Sequence, residues 1–71
     1  MKLTPFEKKI FDQLCVLLQA EKAATEEGNG DRVMLCRAEY AGFVSALKMT
    51  LSERICVKLE RRAVEEVNGL V

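Results

Sequence analysis

Helix breakers fall at only a few places in this chain, and their positions constrain its fold more than any other feature. The single proline is Pro5, and the four glycines are Gly28, Gly30, Gly42 and Gly69. Thr4-Pro5-Phe6-Glu7 reads as a helix start, with a capping threonine, a proline at the first helical position and a glutamate three residues after the cap. Gly28-Asn29-Gly30 reads as its stop, because Gly28 suits the left-handed capping conformation. Between them, over about 5–27, Phe6, Ile10, Phe11, Leu14, Leu17, Leu18 and Ala24 share one broad face at about 100° per residue.

Asp31 is the expected N-cap of a second helix over about 31–49. The loop before it spans about three residues, so the first two helices are expected to be antiparallel neighbours. Val33, Cys36, Tyr40, Phe43, Val44 and Leu47 form one face of this helix. Ala38, Gly42 and Ala46 recur at four-residue spacing on a second face, flanked by Leu35 and Met49. A helix apolar nearly all round is normally buried on more than one side, so the second helix is expected at the centre of the fold.

Thr50-Leu51-Ser52-Glu53 repeats the capping-box pattern, with Thr50 as cap and a third helix over about 51–67. Its core face is Ile55, Cys56, Leu59, Ala63 and Val67, and Asn68-Gly69 ends it. No glycine or proline marks this boundary. The alternative is therefore a helical hairpin with one long second helix, dimerising into a four-helix bundle. The expected architecture is an all-α three-helix unit, a single domain over 1–71, forming a homodimer.

Composition bears on what such a unit can do. A chain of 71 residues buries only about 60% of the surface its unfolded form exposes, so folding alone leaves it marginally stable. Small chains compensate with disulfides, metals or oligomerisation. Eleven basic residues balance 11 acidic ones, which gives no global pull toward nucleic acid or anionic membrane and favours self-association. Cys15, Cys36 and Cys56 are odd in number and widely spaced, unlike a disulfide framework. They read as buried hydrophobes in a reducing compartment, and the expected location is cytoplasmic. The longest apolar run, Leu14 to Leu18, is far short of a membrane span.

The stretch from Arg37 through Gly42 and Ala46 to Leu47, followed by Met49-Thr50-Leu51-Ser52-Glu53, resembles the glycine-containing helix and turn of small helical proteins encoded by phages and prophages. The resemblance covers this stretch alone. It implies an intracellular accessory role and transfers no functional residues.

Chemistry has little to stand on. There is no histidine, so a general base would have to be a carboxylate, lysine or cysteine tuned by burial. Three isolated cysteines do not make a four-ligand zinc site. Gly28-Asn29-Gly30 lacks the following Lys-Ser/Thr of a phosphate loop and follows no strand. The chain is therefore read as a non-enzyme without cofactor or metal. Three surfaces remain. Ala38, Gly42 and Ala46 are either close packing within the chain or a self-association stripe at a two-fold axis. Val16, Val57 and Val64 lie off the core faces and are candidates for a protein partner. Arg54, Lys58 and Arg61 form a basic stripe with Arg62 nearby; they are either a solvated face or, with Ser52, the reading surface of a helix-turn-helix. Protein–protein interaction by a small adaptor, inhibitor or regulatory subunit is the expected function, with a DNA-binding regulator as the alternative.

Overall fold

The structure is a computed structural model that describes residues 2–69. It contains three helices, α1 (Pro5–Glu26), α2 (Gly30–Lys48) and α3 (Glu53–Asn68), and no strand among the described residues. The all-α, three-helix reading holds, and α1 and α2 pack closely as an antiparallel pair.

The start of α1 is built as its sequence implies. The Glu7 backbone N–H donates to Thr4 Oγ1 at 3.1 Å, and the Thr4 N–H donates to Glu7 Oε1 at 3.0 Å. These reciprocal bonds satisfy donors that have no intrahelical partner. At the other end Gly28 adopts φ +71°. The Asn29 N–H donates to Ala24 O at 3.0 Å and the Gly28 N–H to Thr25 O at 3.1 Å, which together close a Schellman motif. The chain reverses immediately, because Asn29 itself caps α2 by accepting from the Arg32 N–H at 3.2 Å. Asn29 replaces the expected Asp31 as N-cap, and Asp31 sits in the first turn, where a carboxylate favours the helix dipole.

The α2–α3 boundary is a real break, but its cap is Ser52 rather than Thr50. Ser52 is extended at ψ 149°, and its Oγ accepts from the Ile55 N–H at 3.3 Å. Thr50 instead closes the preceding helix, its hydroxyl donating to Leu47 O at 3.1 Å. Leu51 between them is half-buried and packs on the core. Burial of Leu51, with polar caps on either side of it, accounts for a sharp turn without glycine or proline.

The core is Ile10, Leu14, Val44, Leu47, Cys56, Leu59 and Ala63, with Leu3, Phe11, Cys15, Leu18, Tyr40, Phe43, Leu51 and Ile55 packed around it. The central element is α1, not α2. Helix α1 packs along both other helices, whereas α2 and α3 meet little. The reason lies in the width of its apolar arc, on which Phe11, Cys15 and Leu18 border the buried Ile10 and Leu14. Phe6, expected in the core, is 60% exposed in the first turn of α1. A Tyr40 hydroxyl–Glu60 Oε1 contact at 3.3 Å ties α2 to α3.

Candidate interaction surface on the second helix

The inward face of α2 carries its buried residues Cys36, Val44 and Leu47. The opposite side is almost free of charge. Met34, Leu35, Ala38, Ala41, Gly42, Ser45, Ala46 and Met49 are all exposed, and they cover an arc of roughly 140° over about four turns. Met34 is 66% exposed, Leu35 62% and Met49 87%. Arg32, Arg37, Glu39 and Lys48 lie outside the arc by helical phase, and Arg37 reaches Glu21 of α1 at 3.5 Å. Asp31, in the first turn, stands at the end of this surface.

Ala38, Gly42 and Ala46 therefore face outward, which removes the reading as close packing within the chain. A Cβ built on Gly42 meets nothing within 4 Å. Nothing within one copy calls for glycine here, yet an interior helical glycine costs about 1 kcal/mol relative to alanine. Met34 belongs to the same surface and went unnoticed in the sequence reading. The signal was available, because Met34 begins the four-residue series that continues through Ala38, Gly42 and Ala46.

The three valines are not brought together. Val16 is 56% exposed on α1. It lies two positions from Leu18, about 160° away in helical phase, and Leu18 shares a groove of about 310 Å³ with Val64 and Val67 of α3. Across that groove Lys22 Nζ donates to Val67 O at 3.2 Å. Val57, 46% exposed, lies two turns from Val64 among Arg54, Lys58, Arg61 and Arg62. The basic stripe is thus gathered around one valine. Arg54 and Arg61 are exposed and Lys58 half-buried, with Glu65 also half-buried on α3. The Ser52 hydroxyl oxygen is engaged in capping α3.

Charged side chains stay near solvent, and no polar or charged residue among those described is buried. The Thr4 backbone N–H bond, helped by the nearby Lys58, holds the Glu7 carboxyl below its ordinary range, a consequence of capping. Burial and the adjacent Glu60 push the Tyr40 hydroxyl up to about 12. Burial, reinforced by Glu66 and Asp12, raises the Cys15 thiol, which keeps it in the unreactive protonated form. Cys36 and Cys56 are buried, and all three cysteines are free. Among the described residues no three His, Cys, Asp or Glu side chains are placed to hold a metal ion. No described helix is long and apolar enough to cross a membrane.

Compared with known proteins, the chain matches no family model, no curated protein and no solved structure.

Proposed function

We propose that this chain is a non-enzymatic helical interaction module that self-associates through the outward face of α2, centred on Ala38, Gly42 and Ala46. The observation that carries the reading is the combination on that face of large exposed apolar side chains with a glycine that packs against nothing. Burying a leucine or methionine from water contributes about 1.5–3 kcal/mol when complete, and a symmetric pair gains each contribution twice. Close approach of a second helix over Gly42 offsets the cost of glycine in a helix interior.

In this reading the remaining surface, including Val57 and Val64 on α3 and Val16 on α1, is available to a protein partner. The module acts as a small adaptor, inhibitor or regulatory subunit, in keeping with the accessory role that the resemblance to phage- and prophage-encoded helical proteins implies. Three unpaired cysteines, two of them buried, suit a reducing compartment such as the cytoplasm.

Light scattering on the wild type and on Gly42→Leu tests the reading. The space around Gly42 is open, so the variant is expected to keep its helical circular dichroism while its mass falls from dimer to monomer. A variant as dimeric as the wild type sinks the assignment of this face.

A second reading rests on the gathering of Arg54, Lys58 and Arg61 around Val57. It makes the chain a DNA-binding regulator whose affinity for a duplex falls steeply with rising salt. Binding that ignores salt, or no binding at all, excludes it.

A further inference from the structure

The neutral charge of the whole chain conceals an uneven distribution. Residues 2–9 and 53–62 carry seven basic and three acidic side chains, which leaves four basic and eight acidic ones for the rest. The fold brings those two basic segments together. Lys2 and Lys8, near the start of the chain, share a cleft of about 440 Å³ with Arg62 of α3. Leu3, Pro5 and Phe11 form the rest of its lining. Arg62 also borders the hollow around Val57, where Arg54, Lys58 and Arg61 stand. The two depressions therefore meet at one side chain and make a continuous track of six cations.

Little on the molecule itself answers this charge. Asp12 pairs with Lys8 at 2.6 Å, but both side chains are well exposed, so the pair is weak. Glu7, whose carboxyl feels Lys58, is already engaged by the Thr4 backbone N–H. Among the described residues Arg54 and Arg61 make no ion pair. Gathered cations attract a polyanion, and the acidic remainder of the chain turns this side toward it.

Shape and chemistry favour one kind of polyanion. The cations of the cleft come from both elements that wall it, with an apolar lining between them. Such a groove takes phosphates on its walls and a base against its apolar lining, as single strands are held. Three of the four α3 cations are arginines, whose planar fork suits phosphate. A bilayer surface asks for apolar side chains free to insert, whereas Leu3 and Phe11 are half-buried. A base-reading helix-turn-helix asks for α2 packed across α3, and those two helices meet little.

We infer that this side of the molecule binds single-stranded nucleic acid through its phosphates, without sequence preference, along a track from Arg54 and Arg61 through Arg62 to Lys2 and Lys8. It uses the basic stripe of the second reading above, but changes the target from a duplex to a strand and extends the surface to the start of the chain. The outward face of α2 takes no part.

Fluorescence anisotropy with a labelled oligothymidine of about 20 nucleotides, and with a duplex of equal length, tests this. With about five phosphates engaged, affinity for the strand falls about 50-fold between about 50 and 150 mM salt. Lys2→Gln/Lys8→Gln and Arg54→Gln/Arg61→Gln change exposed positions only, so circular dichroism is expected to show both variants folded. Each loses two phosphate contacts and binds more weakly, and the same rise in salt costs it only about tenfold. Loss confined to Arg54→Gln/Arg61→Gln overturns the extension to Lys2 and Lys8. Tighter binding to the duplex overturns the single-strand assignment and leaves the second reading standing. No binding to either at about 50 mM salt overturns both. A chain held by phosphatidylserine vesicles in preference to the strand overturns the assignment in favour of a bilayer.

Discussion

Gly42 shows how a single residue can be legible in sequence while what it faces is not. Its place in a four-residue series of small side chains was plain. Whether that series faced inward or outward was not, because spacing reports which residues share a face and not what the face meets. The structure answers with empty space around the glycine. A consequence follows at this scale. Gly42→Ala adds a methyl group that touches nothing and removes the conformational freedom of glycine from the unfolded chain. The variant is expected to be more stable as a monomer by about 0.5–1 kcal/mol, measured by urea unfolding at a concentration below dimerisation. Loss of stability instead would mean that the glycine is required inside the fold. Gly28 is the contrasting case, since its φ of +71° belongs to the region that favours glycine, and its role as helix stop was readable in advance.

At the scale of elements, local chemistry set most of the boundaries. The first cap was legible because Thr4, Pro5 and Glu7 agree with one another and no competing cap is nearby. The other two caps were misplaced by two residues each. Near Asp31 the competitor was Asn29, and near Thr50 it was Ser52. Both hydroxyl residues of the second pair are used, Thr50 to close α2 and Ser52 to open α3. What separates their roles is the inward packing of Leu51, a tertiary contact that no local motif encodes. The capping box of α1 carries its own test. Thr4→Ala removes the acceptor for the Glu7 N–H and is expected to cost about 1 kcal/mol. The Glu7 carboxyl titrates below its ordinary range when folded. Its contribution is therefore present above the unfolded pKa and lost as pH falls through the folded one. Acid unfolding of Glu7→Gln, which removes the titrating carboxyl that accepts from the Thr4 backbone N–H, should accordingly show a weaker dependence on pH in that window than the wild type. An acid profile of Glu7→Gln identical to that of the wild type would remove Glu7 as a source of that pH dependence.

For the whole molecule, three helices and their order were readable, but the central one was not. Helix α2 looked central because it is apolar nearly all round, whereas α1 takes that position and leaves one side of α2 in solvent. The error has a physical content. Apolar surface that sequence logic assigns to the interior of one chain remains uncovered in that chain, and a small domain with a limited core gains from covering it with a second copy. The valines Val16, Val57 and Val64 illustrate the opposite limit, since separate exposed apolar residues gain no meaning from being counted together. The face of α2, by contrast, joins exposure, small residues and little charge in one place.

Sedimentation equilibrium of the wild-type chain from about 1 μM to about 1 mM tests that claim most directly. The account expects the mean mass to rise reversibly from 8.0 kDa toward twice that value, with little response to added salt because the interface is apolar. A mass of 8.0 kDa at every concentration would contradict it.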